Sequence, residues 1–290
     1  DKWEEFWCHK MSNPENYISP EDKKIMVAFG TLDTELVGEW KFDEGSGNIA
    51  HDSSGHGNDG TIHGANWTTG KFGKALSFDG SDDYVRTATN NLYDSYDTGA
   101  VLVWFKTGTA DKTLLSYSTV ESKDSLIEWS ISSSGNLEQA WKAPSKGWNR
   151  VTGSTNVADN KWHLAAFVAD GINRVKIYLD GIEESTTYSS ENGDGDESDF
   201  IADVAGINTY NHFTEIGAIH RSTGSWGYFN GTIDEVRIYN RSLSPEEIKA
   251  SYEAGSAQIK NLIIKQSQPV KAEIDFIQFY VNSASGNYYF

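Results

Sequence analysis

Short stretches in which apolar and polar residues alternate run from Leu36 to Asn240, and Gly, Asn and Asp break them at frequent intervals. Alternation with period two puts one set of side chains on a buried face and the other toward water. Gly, Asn and Asp supply the backbone angles that tight turns need. A chain punctuated this way predicts an all-β fold, with two antiparallel sheets packed face to face. The predicted strands are LVGEWKF (36–42), two short strands about Gly80 in ALSFDGSDDYVRT (75–87), AVLVWFKT (100–107), KTLLSYS (112–118) and SLIEWSIS (125–132). KWHLAAFVADGINRVKIYLDG (161–181) predicts a hairpin turning at Asp170-Gly171. HFTEIGAI (212–219) and TIDEVRIYN (232–240) complete the set, and residues 43–64 read as one long polar loop. Leu164 to Val168 is apolar on both faces, as expected of a central strand.

The stretch 231–255 pairs the last of these strands with a helix start. Ser244 can cap, Pro245 suits the first helical position and Glu247 completes a capping box, so one short helix is predicted at 245–254. Strict alternation puts Ile233, Glu235, Arg237 and Tyr239 on one face and Asp234, Val236 and Ile238 on the other. That places a carboxylate on an apolar face, where it needs either hydrogen-bond donors or a cation.

The formal charge of −18 over 290 residues argues against nucleic acid, which requires a Lys/Arg footprint. The single cysteine, Cys8, excludes a disulfide within the chain. No apolar run is long enough to span a membrane. Two flanking segments differ in pattern. Residues 1–35 place Trp3, Phe6, Trp7 and Met11 at helical spacing and form an N-terminal extension. Residues 256–290 contain KAEIDFIQFYV, which is apolar on both faces and predicts a C-terminal β extension. Such a strand wants cover, either from within the chain or from the sheet edge of another copy.

The blocks GEWKFDEGSG, DSSGHGNDGT, ALSFDGSDDYV, the 161–181 hairpin and GTIDEVRIYNRSLSPEEIKASY occur in that order. Together, over about residues 36–255, they resemble a laminin-G-like domain of the concanavalin A-like lectin/glucanase superfamily. The resemblance implies a concanavalin A-like jelly-roll sandwich in an extracellular or cell-surface protein. It also implies one structural calcium and a role in binding carbohydrate or a surface glycoprotein, or in adhesion. Assembly with copies of itself through the terminal strands, as in a surface filament or layer, is the second functional reading.

Calcium takes six to eight oxygen ligands. The resemblance brings the loops near the first strand together with the Asp of IDEVRIY, which gives Asp43, Asp52, Asn58, Asp82 and Asp234 as candidate ligands. The residues alone also admit these as turn-forming Asp and Asn. Asn192, Asp194, Asp196 and Asp203 follow a calcium-loop spacing, but Glu197 stands at the glycine position and Asp203 at that of the bidentate Glu. Trp40, Trp104 and Trp162 fall inside strand patterns and are expected in the core. Trp141, Trp148, Trp226 and Tyr228 look loop-like and are candidate sugar platforms, with Asn149, Arg150 and Arg221 to bond hydroxyls. A glycoside hydrolase would need two carboxyls across one bond. Glu273-Ile-Asp275-Phe-Ile277-Gln278 resembles a glucanase strand, yet Gln278 stands where the second carboxylate belongs. His51, His56 and His63 lack a zinc spacing. No catalytic residue is assigned, and the chain is expected not to be an enzyme.

Overall fold

The computed structural model describes residues 35–87, 98–118, 126–142, 147–170, 175–191, 212–221, 224–254, 280–281 and 288–289. The strands are β1 (Leu36–Trp40), β2 (Ile49–Ala50), β3 (Gly60–His63), β4 (Asn66–Thr69), β5 (Lys74–Asp79), β6 (Tyr84–Thr87) and β7 (Thr98–Lys106). Next come β8 (Lys112–Ser118), β9 (Leu126–Ile131), β10 (Asn136–Lys142), β11 (Asn149–Asn156), β12 (Trp162–Asp170), β13 (Val175–Leu179) and β14 (Ile182–Glu183). The last are β15 (Thr187–Ser190), β16 (Phe213–Ile216), β17 (Ile219–Arg221), β18 (Gly224–Trp226), β19 (Asn230–Tyr239), β20 (Tyr280–Val281) and β21 (Tyr288–Tyr289). One helix, α1, spans 245–254. The proposed N-terminal extension, most of the C-terminal one, the acidic loop from Asn192 on and the Glu273–Gln278 stretch lie outside the described residues. Only β20 and β21 are described in the tail, and they pair with each other.

Two antiparallel sheets face each other. The eight-stranded sheet runs β14-β13-β12-β7-β19-β5-β4, with β1 paired to β19. The nine-stranded sheet runs β15-β11-β10-β9-β8-β16-β6-β3-β2. The main core lies between them. Val101, Val103, Phe105, Ala165, Phe167 and Ile177 meet it from the first sheet; Val85, Ile127, Trp129, Leu137, Trp141 and Ile216 meet it from the second. A smaller cluster covers the other face of the eight-stranded sheet. There Leu102, Trp104, Leu164, Ala166, Val168 and Tyr178 pack with Ile248 of α1, and Tyr252 lies against them. This is why the β12 run is apolar on both faces. Trp40 and Trp104 are buried as expected, while Trp162 is half-buried against the smaller cluster.

Some local expectations change. The two strands about Gly80 do not stay in one sheet: β5 belongs to the eight-stranded sheet and β6 to the nine-stranded one. The connection is a corner, held by Ser81 N donating to Asp79 Oδ1 and Asp79 N donating to Asp83 Oδ2. The 161–181 hairpin forms, but Ala169 pairs with Val175, so its connection is longer than two residues. The two-residue Asp-Gly turn lies one strand later, at Asp180-Gly181, where Leu179 pairs with Ile182. Both turn residues have positive φ (51° and 82°), the type I′ pattern whose twist suits a hairpin. The 43–64 segment is not one loop, since β2 and β3 lie in it.

β19 departs most from simple alternation. Its register against β7 shifts between Asp234 and Arg237, and Glu235 takes φ of 49°. This is a β-bulge, one extra residue that reverses the phase of everything beyond it. Ile233, Val236 and Ile238 therefore share the main core. Asp234 shares no face with Val236 and Ile238, which corrects the alternating assignment. The bulge is also where the neighbouring strand changes. β5 pairs with Asn230–Ile233 and β1 with Val236–Tyr239. Helix α1 starts as its sequence predicts. Glu247 N donates to Ser244 Oγ (3.2 Å), and Ser244 N donates to Glu247 Oε2 (2.8 Å).

Gly181 lies under this helix. A Cβ there would come 3.2 Å from Lys249 Cα and 3.4 Å from Tyr252 Cβ. Gly181→Ala combines positive-φ strain with that close approach, and is expected to cost about 1–2 kcal/mol. Urea unfolding checks it, and an unchanged midpoint would mean that the helix does not rest on the turn.

Candidate functional site

The five candidate calcium ligands fall in three places. Asp52 closes the loop after β1. Its carboxylate accepts from Glu39 N (2.9 Å), Ser54 N (2.9 Å), Ser54 Oγ (2.8 Å) and Asn58 N (2.9 Å). Burial opposes its charge, yet these bonds outweigh burial and hold its carboxyl below the ordinary Asp range. Asn58 donates through Nδ2 to Val37 O (2.8 Å), and its carbonyl accepts from Trp40 Nε1 (3.0 Å). In this structure both residues hold the loop together.

Asp43 and Asp234 meet at the β4–β5 turn. Asp43 Oδ1 accepts from Lys74 N (2.9 Å), and Asp234 Oδ2 accepts from Phe72 N (3.0 Å). Asp234 is fully buried, and its Oδ1 has no hydrogen-bond partner among the described residues. Burial above all, with added repulsion from Glu235 and Asp43, pushes its carboxyl up to about 7, even though Phe72 N favours the charged form. Asp82 stands in the third place, the β5–β6 corner. There the carboxylates of Asp79, Asp82 and Asp83 lie within 4.8 Å of one another, and Asp79 and Asp82 are exposed. Burial raises the Asp83 carboxyl, and the two neighbouring charges add to the rise.

The aromatic candidates divide more sharply. Trp141 is in β10, 0% exposed, and part of the main core, so no sugar can stack on it. Asn149 is likewise buried, and its Oδ1 accepts from Tyr188 Oη (2.7 Å). Trp141 looks loop-like in the sequence because the residues after it hide β10, and Asn149 lies in β11. Tyr228 is half-buried beyond β18, and Arg221 pairs through its backbone with Gly224.

Trp148, Arg150 and Trp226 do come together. They line a cleft of about 470 Å³ on the outer face of the nine-stranded sheet. Its floor is the polar side of β8 to β11, where Thr113, Glu128, Ser130, Glu138 and Ala140 alternate with the core residues. One wall is the β17–β18 hairpin. It is tied to β8 by Thr113 N donating to Gly227 O (2.8 Å) and Ser116 Oγ donating to Ala218 O (2.9 Å). Trp226 is 56% exposed on that wall. The floor is held in place by its own bonds. Thr113 Oγ1 donates to Glu128 Oε1 (2.6 Å), and Thr152 Oγ1 donates to Glu138 Oε2 (2.9 Å). Arg150 lies 3.7 Å from Glu138 and 3.1 Å from Glu191, with its guanidinium 5.2 Å from the centre of the Trp148 ring. An exposed indole beside hydroxyls and fixed carboxylates can stack on the C–H face of a sugar while accepting from its hydroxyls. Thr113, Glu128, Ser130 and Glu138 were missed as site residues. Glu138 against Leu137 and Gln139, and Glu128 against Ile127 and Trp129, carried the signal as plain alternation.

A second cleft, of about 540 Å³, lies between the β4–β5 turn and α1. Its walls include Phe72, Trp104, Lys41, Asp43, Glu235 and Arg237. The charges there are matched internally. Arg237 Nε donates to Glu39 Oε1 (2.9 Å) and Nη2 to Glu235 Oε2. Trp104 is only 1% exposed, stacks on Tyr252 and has Lys71 Nζ 4.6 Å from its ring. The Trp104 ring in this cleft therefore has no open face for a sugar.

Comparison with known proteins gives a consistent picture. A family model described as the concanavalin A-like lectin/glucanases superfamily, of laminin G type, matches residues 79–249, more than half of the chain. No curated protein sequence matches. Among solved structures, the chain is similar to domain 4 of AbnA, a GH43 extracellular arabinanase from Geobacillus stearothermophilus, in complex with arabinotriose. Identity is 21%, the TM-score 0.55, and 74% of this chain and 97% of that one are covered. It is similar to the binding domain of Paraclostridial Mosquitocidal Protein 1, with 14% identity, TM-score 0.56 and coverage of 77% and 53%. It is also similar to the binding domain of botulinum neurotoxin DC in complex with rat synaptotagmin II, with 15% identity, TM-score 0.54 and coverage of 78% and 52%. The chain spans about half the length of these toxin domains. The neighbours are thus carbohydrate-binding or receptor-binding domains, and at these identities they speak for the fold. No helix among the described residues is long and apolar enough to cross a membrane.

The state of Asp234 can be tested directly. A carboxyl raised to about 7 keeps its proton in the fold while the unfolded chain releases it near the ordinary Asp value of 3.8. Stability is therefore lost as pH rises from about 4 to about 7, by a few kcal/mol at most, and levels off above that. Asp234→Asn removes the charge and keeps the acceptor for Phe72 N. Thermal unfolding should show the variant gaining on the wild type between pH 5 and pH 8. A variant that instead loses stability at pH 8 would mean that the carboxylate is ionised and balanced by a cation.

Proposed function

The chain belongs to the concanavalin A-like lectin/glucanases superfamily, and we propose that it acts there as a non-enzymatic, extracellular glycan-binding module. The observation that carries this reading is the cleft beside Trp226. It joins an exposed indole to a floor of hydroxyls and carboxylates already fixed by Thr113 and Thr152. A preorganised floor loses little freedom when a sugar arrives. The arabinotriose held by the Geobacillus domain supports a carbohydrate ligand for this fold. The neighbouring binding domains support a role in recognition rather than turnover. Binding to a surface glycoprotein through its sugars is the same chemistry in a larger partner.

We also propose that calcium stabilises the module. The Asp79, Asp82 and Asp83 carboxylates are close enough to serve one ion, and the repulsion that raises Asp83 would be relieved by it. This group replaces the ligand set inferred from the resemblance, of which it keeps Asp82. Calcium against chelator should raise the melting temperature of the wild type and leave Asp82→Asn with a smaller rise. Equal melting temperatures in both conditions would remove calcium from the fold.

Trp226→Ala tests the cleft. Losing the stacking face should weaken glycan binding at least tenfold, about 1.4 kcal/mol, as read by calorimetry with a glycan selected on an array. The melting temperature should hardly move, since the side chain is largely exposed. Unchanged affinity would place the ligand elsewhere.

A further inference from the structure

The cleft contains more negative charge than a general sugar site needs, and this sets its ligand class. Among the described residues, the charged side chains that line it are Asp111, Glu128, Glu138, Lys112 and Arg150. Carboxylates thus outnumber cations, and a fourth carboxylate, Glu191, binds Arg150 from the rim. Arg150 is the side chain that could fork onto a sugar carboxylate or sulfate. It is already shared between Glu138 and Glu191, and its guanidinium lies over Trp148. An acidic sugar would have to displace one of these partners. It would also approach Glu128 and Glu138 within a surface of net charge −18. A neutral sugar has no such obstacle. Its hydroxyls are donors, and fixed carboxylates are the strong acceptors that vicinal hydroxyls can pair with.

We propose that the cleft selects neutral, hydroxyl-rich glycans and rejects their uronated, sialylated and sulfated counterparts. This rests on the reading of the cleft as a glycan site. Carboxylates that attract hydroxyl donors and repel anions give specificity through both the favourable and the repulsive element. Among the described residues Lys112 is the one lining cation without a carboxylate partner, and one ammonium at the edge does not reverse the balance.

The test uses the full chain on an array that pairs neutral oligosaccharides with uronated, sialylated and sulfated forms of the same backbones. Hits are then measured by calorimetry at about 50 and about 500 mM salt. The expected result is binding of the neutral member that Trp226→Ala weakens at least tenfold and salt hardly changes, with at least a tenfold preference over the acidic member at about 50 mM salt that narrows at about 500 mM. Glu138→Gln keeps an acceptor for Thr152 while freeing Arg150 from one partner. It should raise the acidic-to-neutral affinity ratio by about three- to tenfold. Tight, salt-sensitive binding of acidic members that Trp226→Ala abolishes would overturn the selectivity while leaving the cleft as the glycan site. Binding of neither class, or binding that Trp226→Ala leaves intact, would overturn the reading of the cleft and the selectivity with it.

Discussion

The bulge at Glu235 is the constraint on which the eight-stranded sheet depends. β19 is the strand through which β7, β5 and β1 are joined, and it has to serve two neighbours on one edge. One extra residue does this. It ends the pairing with β5, opens the pairing with β1 and reverses the side-chain phase, so that Ile233 and Val236 both reach the core. The same step leaves Asp234 buried on the far side of the sheet and Glu235 in the left-handed region. Arg237, held by Glu39 and Glu235, lies just past the shift and ties the bulge to β1. Strain and buried charge collect at this point because the topology requires it.

The two sheets treat their outer faces differently, and that difference positions the site. Across β7, β12 and β13 the outer face is apolar and is covered by α1 and the Phe72 turn. Along β8 to β11 it is polar, and among the described residues it is left open beside the β17–β18 hairpin. A bare polar sheet face with hydroxyls and carboxylates in register is a surface ready for a polar ligand. One exposed tryptophan on an anchored hairpin supplies the apolar contact that such a surface lacks.

Much of this was legible in the sequence. Alternation located β1, β7, β8, β9, β12 and β19, and the capping box fixed α1 to the residue, because these signals are local. The family of the fold was legible too, in the ordered blocks from Gly38 onward. β10 and β11 escaped because Lys142 to Trp148 has the composition of a loop, which makes Trp141 look like a loop residue. The phase error in β19 has a different origin. A bulge is fixed by the strands on either side of it, and nothing in IDEVRIY announces that Glu235 is the extra residue. The Asp-Gly signal was sound but appears twice within residues 161–181, and only the pairing of Leu179 with Ile182 shows which copy makes the tight turn. The site was half legible. Trp148, Arg150 and Trp226 stood out by type, whereas Glu128 and Glu138 became meaningful only when strands brought them to one floor.

The pairing of β1 with β19 carries a consequence for how the chain reaches this state. Glu39 and Arg237 are 198 residues apart in sequence, yet share a bond in the middle of the sheet. β1 is therefore made well before the partner it waits for. Closing so large a loop costs entropy before any contact repays it, so the eight-stranded sheet is completed late and slowly. Until then β1 is an unpaired edge with Val37 and Trp40 uncovered, the element most open to wrong pairing.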